Sequence, residues 1–81
     1  MTGFQGGRGY QRVFVRPGVR ARWEVRMEGR AQRSQFLDRD LALSYAQIWA
    51  AVNRPSTVHV YGAAGTLENE WTFDRGSRDR R

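Results

Sequence analysis

The segment Asp38 to Asn53, DRDLALSYAQIWAAVN, is the one stretch of the chain with a sustained helical period. Leu41, Tyr45, Ile48, Trp49 and Val52 recur at i, i+4, i+7, i+8 and i+11, and at about 100° per residue they gather into a single stripe. Leu43, Gln47 and Ala50 fall opposite. Asp38 suits the N-cap, since its carboxylate can accept from free amides of the first turn and, with Asp40, faces the positive end of the helix dipole. Asn53 suits a left-handed C-terminal cap, and Pro55 forbids continuation. One amphipathic helix cannot bury its own stripe, so the rest of the chain must supply a surface for it.

The flanking segments alternate with a period of two. Tyr10 to Arg16 reads as a strand with Val13 and Val15 on one face and Arg12, Phe14 and Arg16 on the other, closed by a turn at Pro17 and Gly18. Arg22 to Glu28 sets Trp23, Val25 and Met27 against Arg22, Glu24, Arg26 and Glu28. Gly29 turns the chain, and Ala31 to Leu37 returns as a third strand into the helix cap. Beyond the helix, Ser56 to Tyr61 is a short buried strand, Gly62 to Gly65 (GAAG) a hairpin turn, and Thr66 to Phe73 its partner, with Leu67, Trp71 and Phe73 on the inward face.

The expected architecture is therefore α+β and two-layer: an antiparallel five-stranded sheet, order βββαββ, with one helix packed on one face. The helix stripe covers Val13, Val15, Trp23, Val25, Met27, Val58, Val60, Leu67, Trp71 and Phe73, and all three Trp are expected between sheet and helix. Residues 10–74 form the single domain. Residues 1–9, with four Gly, are expected to be a disordered arm, and the Arg-rich residues 75–81 a disordered tail.

Length and composition narrow the function classes. An 81-residue chain is one small domain with a thin core. It has no Cys, hence no disulfide and no thiolate ligand, and neither a secretory signal nor a span of membrane length is legible, so a cytoplasmic protein without a membrane role is expected. The net charge of +6 and pI near 11.3 raise the prior for a polyanionic partner. All 14 basic residues are Arg, which suits forked phosphate contacts and equally follows from a GC-rich genome.

Val15-Arg16-Pro17, Trp23-Glu24-Val25, the Phe36-Leu37-Asp38 entry to a helix carrying Ala42 and Ala46, and the closing VHVYGAAGTLENEWTF together resemble a family of small bacterial proteins, the domain of unknown function 2188. The resemblance spans about Val13 to Phe73 and implies strands, a helix and a closing hairpin. It implies no activity. Arg22, Asp38 and Tyr61 stand where that family tends to have Gly, Thr and His.

Few residues invite catalytic or metal chemistry. His59 is alone, and a zinc site needs three or four ligands, so a surface or edge-strand histidine is expected. Asp38 and Asp40 are spaced like the start of a calcium loop, but its Gly and closing Glu do not follow. Glu68 and Glu70 share a strand face and are expected to form cross-strand ion pairs with arginines of the first strands. No nucleophile elbow, Walker or dinucleotide motif is present, so the chain is expected not to be an enzyme and to need no cofactor and no metal.

The basic constellation is the strongest functional signal. Arg8, Arg12, Arg16, Arg20, Arg22, Arg26, Arg30 and Arg33 fall in one meander opposed there by Glu24 and Glu28. Arg12, Phe14, Arg16, Arg20, Arg22, Arg26, Arg33 and Tyr61 are the expected contacts of a DNA- or RNA-binding face, combining cations with stacking surfaces. The competing expectation is a homodimeric interaction module, joined through a strand edge or the open face, whose arginines serve solubility.

Overall fold

The computed structural model describes residues 9–74. The expected tail at 75–81, Arg8 and all of the expected arm except Gly9 lie outside them. The elements run β1 (Gln11–Pro17), β2 (Trp23–Met27), β3 (Arg33–Phe36), α1 (Arg39–Val52), β4 (Ser56–Tyr61) and β5 (Leu67–Phe73), an α+β chain of order βββαββ.

The five strands form one sheet in the spatial order β3-β2-β1-β4-β5. β1, β2 and β3 are the antiparallel meander that the two turns dictate, and β4 and β5 the antiparallel hairpin. The sheet as a whole is mixed, not antiparallel, because β1 and β4 pair in parallel, Val13 opposite Val58 and Val15 opposite Val60. The reason is directional. The helix carries the chain from β3 back to the end where β1 begins, marked by the Gln11 amide donating to the Pro55 carbonyl at 3.1 Å, so β4 enters in the same sense as β1.

Val13, Val15, Val25, Val58 and Val60 are fully buried on one sheet face, and Ala42, Ala46 and Ala50 are the fully buried helix residues set against them. This corrects the expected helix orientation. Leu41, Ile48 and Val52 point away from the sheet, 50, 66 and 77% exposed, and Tyr45, 39% exposed, packs its ring on Phe36 of β3 with centroids 5.1 Å apart, whereas Ala50 and Leu43, expected on the outer side, face or flank the core. The most apolar stripe of a helix need not be its packing stripe. Branched valines already fill the sheet surface, and only a methyl side chain lets the helix backbone settle close to them. Trp23, Trp49 and Trp71 consequently sit at the margins, half-buried, rather than between the layers.

Local chemistry explains the element ends. Asp38, extended at φ −147°, accepts from the Leu41 amide at 2.9 Å, the expected N-cap. Asn53 does close the helix, but with φ −108° rather than left-handed geometry, and its Nδ2 donates to the Trp49 carbonyl at 2.8 Å. The β1–β2 turn lies past Pro17, with the left-handed residues Arg20 and Ala21 (φ 57° and 61°) and an amide of Gly18 donating to the Arg22 carbonyl. In the β4–β5 turn Gly65 adopts φ +83°, open to Gly at no steric cost. A register irregularity at Val60 and Tyr61 then sets Leu67 opposite Tyr61, so Leu67 is half-exposed instead of joining the inward face. Among the described residues no helix is long and apolar enough to cross a membrane.

Candidate nucleic-acid interface

Strand alternation sends every second side chain to the face that the helix leaves open. The register aligns them in rows. Arg16 on β1 stands opposite Glu24 on β2, which stands opposite Gln35 on β3. Phe14 stands opposite Arg26 on one side and His59 on the other, and Arg26 opposite Arg33. Tyr61 lies further along β4.

These rows enclose an open cavity of about 730 Å³ whose lining includes Phe14, Arg16, Glu24, Arg26, Arg33 and Tyr61, closed at one end by the β1–β2 and β4–β5 turns. Five of the eight expected contacts thus converge: Phe14, Arg16, Arg26, Arg33 and Tyr61. Arg12 shares the face but pairs with Glu28 at 3.6 Å, outside the cavity lining. Arg20 and Arg22 belong to the β1–β2 turn, which contributes Val19 to the cavity. The wider constellation is dispersed, since Arg30 lies over the Trp49 ring at 5.8 Å.

Aromatic rings form the cavity floor. The Phe14 ring stacks on His59 with centroids 5.6 Å apart and tilts against Tyr61 at 6.5 Å. The Arg26 guanidinium sits 5.4 Å from the Phe14 centroid. His59 is partly buried on an inner strand, not at an edge. Its Nε2 lies 2.9 Å from Thr57 Oγ1, and its Nδ1 3.9 Å from a Glu70 carboxylate oxygen, contacts that hold the ring as a supporting platform.

The carboxylates are not where the alternating pattern suggested. Glu24, expected on the solvated side, is only 6% exposed and accepts from Arg16 Nε at 2.9 Å. Glu68 and Glu70 sit on the far strand β5, with β1 and β4 lying between them and Arg26 on β2, and Glu70 faces His59 instead of an arginine. Among the described residues the arginine–carboxylate pairs are Arg16–Glu24 and Arg12–Glu28. The burial of Glu24 is not legible in the alternation. Its signal is the hairpin register that sets it opposite Arg16.

Arg26 and Arg33 differ from the other two arginines of the face. Directly opposed across β2 and β3, they carry like charge, and among the described residues neither forms an ion pair with a carboxylate. Facing cations of this kind are unfavourable unless an anion lies between or above them. Among the described residues no group of three or more His, Asp or Glu is placed to hold a metal ion.

No family model, curated protein or solved structure matches the chain, and the resemblance to the 2188 family rests on the residues quoted above alone.

Proposed function

We propose that the chain is a two-layer, non-enzymatic binding module whose open sheet face takes a single-stranded nucleic acid. The observation that carries this reading is the Arg26–Arg33 pair, two facing cations without carboxylate partners among the described residues, beside the Phe14 and Tyr61 rings in one cavity. A phosphate set between the guanidiniums relieves their repulsion, and an unstacked base finds an aromatic surface next to it. Arg16, neutralised by Glu24, orients the cavity wall more than it attracts charge. A duplex offers phosphates but keeps its bases stacked inside, so the aromatic floor favours single strands.

The test is binding of labelled single-stranded and duplex DNA and RNA, with backbone amide shifts mapped by NMR. The reading expects tighter single-strand binding and shifts centred on β1, β2, β3 and Tyr61. Equal affinity for duplex, with shifts scattered over the helix, would replace it with the alternative of a homodimeric interaction module, which the exposed apolar side chains of α1 favour.

A further inference from the structure

Among the described residues that line the open-face cavity, Glu24 is the only carboxylate. An ionised carboxylate is purely an acceptor, with lone pairs to fill on both oxygens. Oε2 accepts from Arg16 Nε at 2.9 Å, whereas Oε1 accepts no hydrogen bond among the described residues. That oxygen lies beside Gly18, which also lines the cavity and where an added Cβ would stand 3.7 Å from it. Glu24 is nearly buried, so the little of it that remains open is turned to the cavity. A buried acceptor without a donor is costly, and the cavity is the side from which a ligand can supply one.

Its partner completes the pattern. Arg16 gives Glu24 only Nε, and the terminal nitrogens of its guanidinium make no hydrogen bond among the described residues. The pair therefore sets acceptors beside donors on the cavity wall, with no net charge. A neutral pair of this kind is suited to the neutral edge of a base rather than to a phosphate. Guanine alone among the bases carries two adjacent donors, N1–H and the N2 amino group, followed by an acceptor, O6, along its Watson–Crick edge. Adenine, cytosine, thymine and uracil each set at most one donor against a carboxylate there, with an acceptor next to it. Position agrees with this reading. The Arg16–Glu24 row lies two residues along β1 from the row in which Phe14 stands opposite Arg26, a step of roughly 7 Å. A base lying on the Phe14 and Tyr61 rings thus has Glu24 and Arg16 at its edge, and Arg26 and Arg33 near its phosphate.

We infer that the cavity selects guanine within a single strand, with Glu24 accepting from N1–H and the N2 amino group and the Arg16 guanidinium donating to O6. The inference rests on the proposed binding of single strands and adds to it a base preference and the residue that sets it.

Fluorescence anisotropy of the full chain with labelled oligodeoxythymidine, plain or carrying one central replacement, tests the proposal. A central deoxyguanosine is expected to bind about tenfold more tightly than plain oligothymidine, the discrimination of one good bidentate base contact. Deoxyinosine, which lacks the N2 amino group, is expected to lose most of that gain. The deaza analogue of deoxyguanosine that lacks N7 is expected to keep it, because N7 lies on the other edge of the base. In Glu24→Gln the amide oxygen that accepts from Arg16 leaves an amino group toward the cavity, and the ratio of guanosine to thymidine affinity is expected to fall to about one. The analogues are read on the parent chain, so the outcome stands even if that variant folds poorly. Equal affinity for all strands, or preference for another central base, would overturn the guanine assignment and leave single-strand binding in place. Inosine binding as tightly as guanosine, or loss of the preference with N7, would overturn the role of Glu24 on the Watson–Crick edge. Absence of binding to every strand would remove both the proposed function and this inference.

Discussion

Arg26 and Arg33 stand directly opposite one another across β2 and β3, on the sheet face that no helix covers among the described residues. Directly opposed like charges on a sheet cost stability, and opposite charges contribute roughly 0.2–1 kcal/mol. Arg33→Glu places a carboxylate across from Arg26. Stability to chemical denaturation is therefore expected to rise by a few tenths of a kcal/mol to about 1 kcal/mol, while affinity for single-stranded nucleic acid falls. A variant that loses stability and keeps its affinity would mean that the two guanidiniums are neither in conflict nor in use.

The two arginine–carboxylate pairs of the open face, among the described residues, are expected to behave differently. Arg12 and Glu28 are both half-exposed and 3.6 Å apart, a geometry worth about 0–1 kcal/mol. Arg16 is the partner of a nearly buried Glu24, so its removal strands a carboxylate that cannot reach bulk water easily. Urea denaturation should show Arg16→Ala costing clearly more than Arg12→Ala. Equal costs would mean that Glu24 is solvated as well as Glu28.

The alanine stripe gives a packing prediction. Ala46 lies fully buried at the middle of the helix–sheet contact, and Ala46→Leu forces three more carbons into a filled space, at a cost of about 1–3 kcal/mol or more. Trp49, half-buried at the margin under Arg30, is expected to cost less on truncation to Ala than the roughly 3–5 kcal/mol of a fully enclosed Trp. Thermal melts of the two variants check both statements. An Ala46→Leu chain that melts with the parent would show that the helix does not sit close to the valines.

Removing the N-cap is a local test of the same helix. Asp38→Ala takes away the acceptor for the Leu41 amide and is expected to cost about 1 kcal/mol, with Asp38→Asn retaining most of it.

The parts of this molecule that were legible in the sequence are those fixed within a few residues. The Asp38 cap, the stop at Asn53 and Pro55, the Ser56–Tyr61 strand and the meander of the first three strands all follow from spacing and turn chemistry. What was not legible depends on distant partners. The parallel pairing of β1 with β4 is decided by where the helix returns the chain, and nothing within either strand encodes it. The helix orientation is not legible because periodicity finds the greasiest stripe, while the sheet selects the smallest side chains for close approach. The same logic applies to the open face. Phe14, Arg16, Arg26, Arg33 and Tyr61 were identifiable from alternation, but the burial of Glu24 and the Arg26–Arg33 opposition required the register.

The most direct measurement is the salt dependence of binding to a single-stranded oligonucleotide, compared between the parent and Arg26→Gln with Arg33→Gln. Each phosphate contact on a single strand contributes about 0.7 to the slope of log K against log salt concentration. If the two facing arginines hold phosphate, the double variant binds more weakly and its slope is shallower by roughly 1.4, or about 0.7 if they share one phosphate. An unchanged slope together with unchanged affinity would contradict the assignment of nucleic-acid binding to this face.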